Sequence, residues 1–348
     1  MPAPRNESLS CKKTKMKRKP LIVFDMDGVI IDVSRSYRDT VRQTARLFFK
    51  GARSWKNLPD PLFPLSDLAR IKQSGGLNND WDLTCLTLNL LFSVIKKPEI
   101  PEETDTWLMH KETICRCDVT EMAQFLKSTE KPLTFLFEQT GKPDHEFIRN
   151  LYKGDVGSGN IIKQIFQEIY LGGDLFKSTY GFPARVYDGE GYINREKLLV
   201  NKSSLEHLSK NNMLAVATGR PKAEADYPLN HFGLKKYFQI ILALDDCIRE
   251  ERSILKKRGE KVSLSKPNPY MLDAIAEIKK NKASRFYYVG DMPDDMEAAS
   301  RSNAGYIGIG ALYSTSDSVV LKRELLHSGA EYLIETFEEL PGIIGQGD

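Results

Sequence analysis

Near the start of the chain a run of hydrophobic residues is followed by two aspartates and a glycine, in the sequence LIVFDMDGVIID of residues 21–32. The first four residues of this run predict a buried strand of a parallel sheet, and Gly28 predicts a sharp turn after it. Asp25 and Asp27 therefore lie at the carboxyl end of the strand, where open α/β sheets bind their ligands. Two crowded carboxylates repel each other unless a cation or a shared proton offsets their charge. This pattern favours a magnesium-dependent site over a structural role.

Helical spacing replaces the strand pattern after Ser34. Residues 36–50 place four apolar side chains on one stripe of a helix, namely Tyr37, Val41, Ala45 and Phe48. Linkers rich in proline and glycine separate further helical segments, which we predict near 83–95, 119–128, 132–140, 144–151 and 160–170. We therefore expect residues 35–190 to form a mainly α-helical insert.

Strands and helices alternate again in the remainder of the chain. The pattern predicts helices at 195–211, 222–232 and 269–280 and strands at 213–217, 238–244, 285–289 and 304–310. Such alternation implies right-handed crossovers and a parallel sheet covered on both faces, so the fold class is a doubly wound, Rossmann-like α/β domain. We predict that 21–34 and 191–348 form this catalytic core, that 35–190 form a cap domain, and that 1–20 form a basic, disordered tail.

The net charge of +3 is the sum of a strongly basic segment at residues 1–20 and a slightly acidic remainder. Residues 1–20 contain seven Lys or Arg against Glu7 alone, so the remainder of the chain is slightly acidic and has no electrostatic footprint for nucleic acid. The tail is interpreted as a solvated extension, with a nuclear or organelle address or a phosphate-attracting arm as alternatives. No apolar run is long enough to span a bilayer, and five cysteines without metal-ligand spacing fit a reduced compartment. We expect a cytoplasmic protein with neither a nucleic-acid nor a membrane partner; the oligomeric state is not predicted.

Four segments bring polar side chains to predicted strand ends or helix starts. They contain Asp25 and Asp27, then Thr218, then Lys266, and finally Asp291 with Asp294 and Asp295. Because the ends of parallel strands converge on one edge of the sheet, these groups are expected to share a site. These groups suit phosphoryl transfer, which needs a nucleophilic carboxylate, a carboxyl group that gives and takes a proton, a lysine that offsets negative charge, and carboxylates that bind Mg²⁺.

The order of these motifs resembles a known superfamily. The chain resembles the haloacid dehalogenase superfamily of aspartate-nucleophile phosphotransferases, because it contains DxDGV, then a strand followed by TGR, then KP and finally GDxxxD. The helical insert directly after the first motif is similar to subfamily IA, which has a cap domain between its first and second motifs. KQSGGLNNDWDLT (72–84) and QEIYLGGDLF (167–176) are also similar to a poorly characterised hydrolase group of that subfamily.

The resemblance implies roles for the first two motifs. Asp25 would be the nucleophile that becomes an aspartyl-phosphate, and Asp27 would be the general acid and base. Thr218 and the adjoining backbone N–H groups, including that of Gly219, would bind the oxygens of the substrate phosphate. Arg220 has two interpretations, a contact with the substrate or an outward ion pair.

The resemblance also implies a metal site. Lys266 would neutralise the nucleophile and the phosphoryl charge. Asp291 would bind Mg²⁺ together with the carboxylate of Asp25 and the backbone carbonyl of Asp27, and Asp295 would support the metal or a water molecule. Met292 departs from the Ser or Thr that is usual in the family, and Asp294 has no family role. Asp245 and Asp246 are interpreted as helix caps rather than catalytic groups.

One segment of the insert is the strongest candidate for substrate specificity. Its glycines permit close backbone approach, and its polar and aromatic side chains suit a sugar or polyol; the residues are Gly75, Gly76, Asn78, Asn79, Asp80 and Trp81. The alternative interpretation is a turn with a helix N-cap at Asn79 or Asp82. The five histidines have no ligand spacing and receive no role.

The sequence thus predicts a magnesium-dependent phosphatase that acts on a small phosphorylated metabolite. Asp27 separates this reaction from dehalogenation, because a halide leaves without a proton whereas an alkoxide needs one. A phosphomutase of the β-phosphoglucomutase kind would use the same four segments and is the first alternative. A non-catalytic protein that binds a phosphorylated metabolite is the second, and an intact nucleophile argues against it.

Overall fold

A computed structural model describes residues 18–345 except 76, 78, 97, 99, 101–104 and 314–317. The predictions for the tail up to residue 17 and for Gly76 and Asn78 therefore lie outside the described residues. The described chain divides into two compact units. The core unit contains 18–30, 200–225 and 229–345, and the helical unit contains 31–199 and 226–228.

Strands and helices are numbered in the order in which they occur along the chain. The strands are β1 (Lys19–Phe24), β2 (Ile31–Asp32), β3 (Lys197–Leu198), β4 (Met213–Ala217), β5 (Ile240–Leu242), β6 (Ala283–Gly290), β7 (Ile307–Ala311) and β8 (Tyr332–Ile334). The helices are α1 (Tyr37–Phe48), α2 (Leu65–Gly75), α3 (Asp80–Phe92), α4 (Thr106–Arg116), α5 (Thr120–Ser128), α6 (Pro132–Thr140), α7 (Glu146–Leu151), α8 (Ile161–Tyr180), α9 (Lys202–Asn211), α10 (Lys222–His231), α11 (Leu244–Arg258), α12 (Tyr270–Lys279), α13 (Pro293–Arg301), α14 (Ser318–His327) and α15 (Leu340–Gly345).

The core unit is built on a six-stranded sheet with the order β5-β4-β1-β6-β7-β8, in which the neighbouring strands are parallel. From β1 the chain winds to one side through β4 and β5, and then crosses to β6 and winds to the other side. The switch in winding direction falls between β1 and β6, and such a point is where open α/β sheets bind ligands. The predicted doubly wound α/β class is confirmed.

Strand β1 is buried on both faces, as its apolar run predicts. Leu21 and Val23 pack in a cluster that includes α11, α12 and α13. Phe24 points to the opposite face, where its ring stacks on Phe337 at 6.0 Å between centroids. Its backbone pairs with Val216 of β4 and Val289 of β6, which fixes the level at which β1 ends.

The helical unit contains α1–α8 and a small antiparallel pair formed by β2 and β3. The stripe predicted for 36–50 is buried, and Tyr37 stacks on Tyr170 of α8 at 4.3 Å between ring centroids. Helix α8 extends ten residues beyond its predicted end, and Gly172 interrupts it with a non-helical conformation. The prediction of a mainly helical insert is confirmed.

Two local predictions need correction. The segment 195–211 is not one helix, because Lys197–Leu198 pair with Ile31–Asp32 as a short antiparallel ladder and α9 begins only at Lys202. The side chain of Asn201 accepts the backbone N–H of Ser203 and caps that helix. Helices α2 and α4 follow proline-rich stretches and were not predicted. Within the described residues, no helix combines the length and apolar character needed to cross a membrane.

Candidate active site

Strand β1 delivers Asp25 to the edge of the sheet beside the end of β6. The backbone N–H of Asp25 donates to Val289 O at 2.8 Å, so the parallel ladder continues to this residue. A carboxylate oxygen of Asp25 lies within 4.8 Å of one of Asp291, the residue that follows the end of β6 at Gly290. Asp25 is only 7% exposed, and its placement follows from the register of two buried strands.

Two glycines allow close approaches at the carboxyl ends of β1 and β6, one between the loop after β1 and Asp291, the other between the end of β6 and Asp295 of α13. Gly28 has a φ of +72°, and a Cβ at this position would lie 1.9 Å from Asp291 Oδ2. A Cβ at Gly290 would lie 2.3 Å from the Cβ of Asp295. Neither approach is possible for a residue with a side chain, so both glycines are required for the carboxylates to gather.

Lys266 lies between two of these carboxylates. Its Nζ is 2.7 Å from Asp25 Oδ1 and 2.7 Å from Asp295 Oδ1. Burial by itself lowers the pKa of Lys266, but the attraction of the two carboxylates outweighs burial and holds this pKa well above its usual value. Lys266 is therefore a charged ammonium at neutral pH.

Asp295 receives further hydrogen bonds from the residues around it. The hydroxyl of Tyr288 donates to Asp295 Oδ1 at 2.8 Å, and the backbone N–H of Met292 donates to Oδ2 at 3.1 Å. Asp295 thus caps α13 and anchors Lys266 at the same time. The Tyr288 contact was not predicted, since the sequence indicates only a buried strand residue there.

The carboxylates form a group that fits a divalent cation. Asp25, Asp291 and Asp295 each offer one oxygen, and these oxygens lie within 4.8 Å of one another. Burial raises the pKa of Asp25 from 3.8 to about 7. The positive charge of Lys266 opposes this rise, and the negative charges of Asp295 and Asp27 add to it. Burial and the same neighbouring carboxylates raise the pKa of Asp291 well above its usual value. Lys266 does not fully offset this negative charge, and carboxylate oxygens are the ligands that Mg²⁺ prefers.

The loop after β4 carries the predicted phosphate-binding residues. The backbone N–H of Thr218 donates to Leu242 O of β5 at 3.0 Å, and the hydroxyl oxygen of Thr218 accepts the N–H of Arg220 at 3.2 Å. The proton of this hydroxyl remains a donor for a ligand. No heavy atom beyond its chain neighbours lies within 4 Å of the position of a Cβ on Gly219, so the backbone is open at this point.

Arg220 points into the core unit rather than outward. Its Nε and Nη2 both lie 2.6 Å from Asp27 Oδ1, and its Nη1 donates to Glu224 O at 3.1 Å. The Arg220 side chain is 1% exposed, whereas that of Asp27 is 33% exposed. The sequence allowed a substrate contact or an outward ion pair; the structure instead gives an inward ion pair with Asp27.

The other aspartates near the strand ends have structural contacts. Asp245 Oδ2 accepts the N–H of Lys222 at 2.6 Å and Asp246 Oδ2 accepts that of Ala243 at 2.9 Å, which agrees with their interpretation as caps. Asp294 lies in the first turn of α13, and its buried Oδ2 has no hydrogen-bond partner among the described residues. Burial raises the pKa of Asp294, with a further contribution from Asp295.

The specificity candidates of the insert lie in the helical unit, where α2 ends at Gly75 and α3 begins at Asp80. Asn79 caps α3 by accepting the N–H of Asp82 at 2.7 Å. Asp80 forms an ion pair with Lys72 at 3.1 Å. Lys163 Nζ lies 4.1 Å from the ring centroid of Trp81. These contacts support the interpretation of a helix N-cap for this segment.

Several solved structures match this chain at low sequence identity. A crystal structure from the Northeast Structural Genomics Consortium has a TM-score of 0.64 and 21% identity, with 94% of this chain and 98% of its own covered. A phosphatase from Thermococcus thioreducens has a TM-score of 0.49 and 19% identity, with 88% and 99% covered. A hydrolase from Pseudomonas syringae has a TM-score of 0.42 and 17% identity, with 95% and 99% covered.

The comparison of sequences agrees with the motifs. A family model described as haloacid dehalogenase-like hydrolase matches residues 200–309, whereas the comparison with curated proteins gave no match. The matched region contains Thr218, Lys266 and Asp291, and the sheet brings the latter two beside Asp25 of the first motif. Residues 200–309 are therefore similar to the haloacid dehalogenase-like hydrolases, in agreement with the resemblance that the motifs carry.

Proposed function

We propose that the protein is a magnesium-dependent phosphatase that hydrolyses a small phosphorylated metabolite through an aspartyl-phosphate. The observation that carries this proposal is the position of Lys266, whose Nζ lies 2.7 Å from Asp25 Oδ1, together with the approach of Asp25 and Asp291, whose carboxylate oxygens lie within 4.8 Å of each other. A nucleophilic carboxylate in a group of this kind needs cations to accept a phosphoryl group, which is itself negatively charged.

In the first step, a carboxylate oxygen of Asp25 attacks the phosphorus atom. The new O–P bond forms while the P–O bond to the ester oxygen breaks, and Asp27 gives its proton to that leaving oxygen. Lys266 compensates the charge of the transferring group, and the hydroxyl of Thr218 and the backbone N–H of Gly219 hold its oxygens.

In the second step, Asp27 removes a proton from a water molecule whose oxygen attacks the phosphorus atom. The bond between Asp25 and phosphorus breaks, inorganic phosphate leaves, and the carboxylate of Asp25 is restored. The same residue thus acts first as acid and then as base.

The carboxylates of Asp25 and Asp291 and the backbone carbonyl of Asp27 would hold Mg²⁺. The bound ion supplies charge neutralisation and orientation of the phosphoryl oxygens. The sequence predicts that Asp295 supports the metal or a water molecule. Since its oxygens accept hydrogen bonds from Lys266, Tyr288 and Met292, we propose that it acts mainly by anchoring Lys266.

We propose a phosphorylated sugar or polyol as the substrate class. The large insert between the first and second motifs, which forms the helical unit from residue 31 to residue 199, supports a substrate more elaborate than a two- or three-carbon acid. A panel of phosphorylated metabolites, assayed for phosphate release, identifies the compound.

The decisive experiment measures phosphate release from 4-nitrophenyl phosphate with Mg²⁺ and with a chelator. We expect activity only with Mg²⁺, and we expect Asp25→Asn to abolish it while Asp273→Asn, a conservative change on α12, retains it. Activity in Asp25→Asn would refute the covalent mechanism. Interconversion of sugar phosphates with little net release of phosphate would favour the phosphomutase instead.

A further inference from the structure

We propose that Arg220 is a positioning residue that orients the carboxylate of Asp27 for proton transfer. This inference rests on the proposed function, because Asp27 moves protons only in that reaction. Neither the motif order nor the family match gives Arg220 this role, and the sequence left it between two other interpretations.

The geometry of the ion pair carries the inference. Two nitrogens of one guanidinium, Nε and Nη2, lie 2.6 Å from the same oxygen, Asp27 Oδ1. Holding Oδ1 from the protein side leaves Oδ2 as the oxygen that can meet a reacting group. The exposed fractions of the two side chains agree with this orientation, since that of Asp27 is 33% exposed and that of Arg220 is 1% exposed.

Arg220 is itself held from several sides. Its Nη1 donates to Glu224 O at 3.1 Å, its backbone N–H donates to the hydroxyl of Thr218, and its carbonyl accepts the N–H of Leu244 at 2.9 Å. Asp245 fixes the following turn through the N–H of Lys222. A guanidinium anchored in this way restricts the rotamers of its carboxylate partner, and such support is what keeps a catalytic group in productive geometry.

The same geometry argues against direct binding of the substrate by Arg220. Its Nε and Nη2 face Asp27, its Nη1 donates to the carbonyl of Glu224, and its side chain is almost fully buried. A lysine would keep the charge but has one nitrogen, so it cannot reproduce the contact of two nitrogens with one oxygen. The role therefore depends on the shape of the guanidinium as well as on its charge.

The test uses two esters whose leaving groups differ in their need for a proton. Phenyl phosphate expels a basic phenolate that gains from protonation, whereas 4-nitrophenyl phosphate expels a stable anion that does not. We measure kcat/KM for both, since this ratio includes the step in which the leaving group departs. General acid catalysis contributes about 10²–10⁴-fold, and we expect Arg220→Gln to lose about tenfold more with phenyl phosphate than with 4-nitrophenyl phosphate.

Asp27→Asn is the reference variant. It should show the same selectivity for the leaving group, and adding Arg220→Gln to it should cause little further loss, because both changes remove one function. Arg220→Lys should lose less than Arg220→Gln with the same preference, and it provides the measurement if Arg220→Gln does not fold.

Three results would overturn the inference. They are equal losses for the two esters, a loss confined to KM, and an additive effect of the two substitutions. The proposed function fails separately, through activity in Asp25→Asn. If Asp25→Asn is inactive and Arg220→Gln loses both esters equally, only the role of Arg220 is wrong.

Discussion

The ammonium of Lys266 lies 2.7 Å from Asp25 Oδ1, and the same nitrogen lies 2.7 Å from Asp295 Oδ1. One cation thus joins the end of β1 to the first turn of α13. The two carboxylates are almost fully buried, so each depends on this lysine for compensation of its charge.

Replacement of Lys266 by methionine should destabilise the metal-free protein. Removing one partner of a buried ion pair leaves an uncompensated charge, which costs about 3–5 kcal/mol. Urea unfolding at neutral pH with a chelator measures the free energy of unfolding. Lys280→Met, an exposed change just after α12, is the matched control and should alter it by less than about 0.5 kcal/mol. A similar, small effect of both substitutions would contradict the importance of the ion pair.

The pH dependence of stability should reflect Asp25. Its pKa is raised by burial from 3.8 to about 7, so the folded state binds this proton more tightly than the unfolded chain does. Between these two values the unfolded state loses the proton first, and the stability of the metal-free protein therefore falls as pH rises from about 4 to 7. Asp291 contributes with the same sign, because its pKa is also raised.

Thermal unfolding at pH 5.0 and pH 7.5 with a chelator tests this prediction. Asp25→Asn cannot titrate, so its melting temperature should fall less between the two pH values than that of the wild type. An equal or steeper fall in Asp25→Asn would show that other groups cause the dependence.

Magnesium should stabilise the protein through Asp291. A ligand at 100 times its Kd adds about 2.7 kcal/mol to the free energy of unfolding. We expect the melting temperature of the wild type to rise with Mg²⁺ and that of Asp291→Asn to respond much less. Glu297→Gln, on α13 but outside the carboxylate group, should respond like the wild type. This readout does not depend on activity, and an undiminished response in Asp291→Asn would place the ion elsewhere.

The helical unit depends on a buried carboxylate. Glu168 is fully buried and accepts the backbone N–H groups of Arg185, Val186 and Tyr187, together with the amide of Gln164. Glu168→Gln turns an amide N–H₂ toward these donors, and we expect a loss of about 1.5–3 kcal/mol, the worth of a hydrogen bond to a charged group. Urea unfolding compares it with Glu190→Gln, whose residue is exposed. A neutral effect of Glu168→Gln would mean that the segment is held by packing alone.

Secondary structure was predictable wherever the local pattern was strong. The strand after Lys19, the strand at 213–217 and the helices at 119–128 and 132–140 agree with the structure because their apolar spacing is set by neighbouring residues. The segment 195–211 was mispredicted because its first part pairs with Ile31–Asp32, a partner that no local spacing indicates.

The sequence alone determined the chemistry available to the protein, because residue types and their order along the chain are local facts. Three apolar runs, each followed by polar residues, were enough to predict a doubly wound sheet with acidic strand ends. The first run precedes Asp25 and Asp27, the second precedes Thr218, and the third precedes Asp291. Only the tertiary structure decided which charges compensate one another. The contact between Arg220 and Asp27 spans 193 residues, and Lys266 reaches two carboxylates at once. Such pairings depend on where folding brings the strand ends together, and that position is a property of the whole sheet.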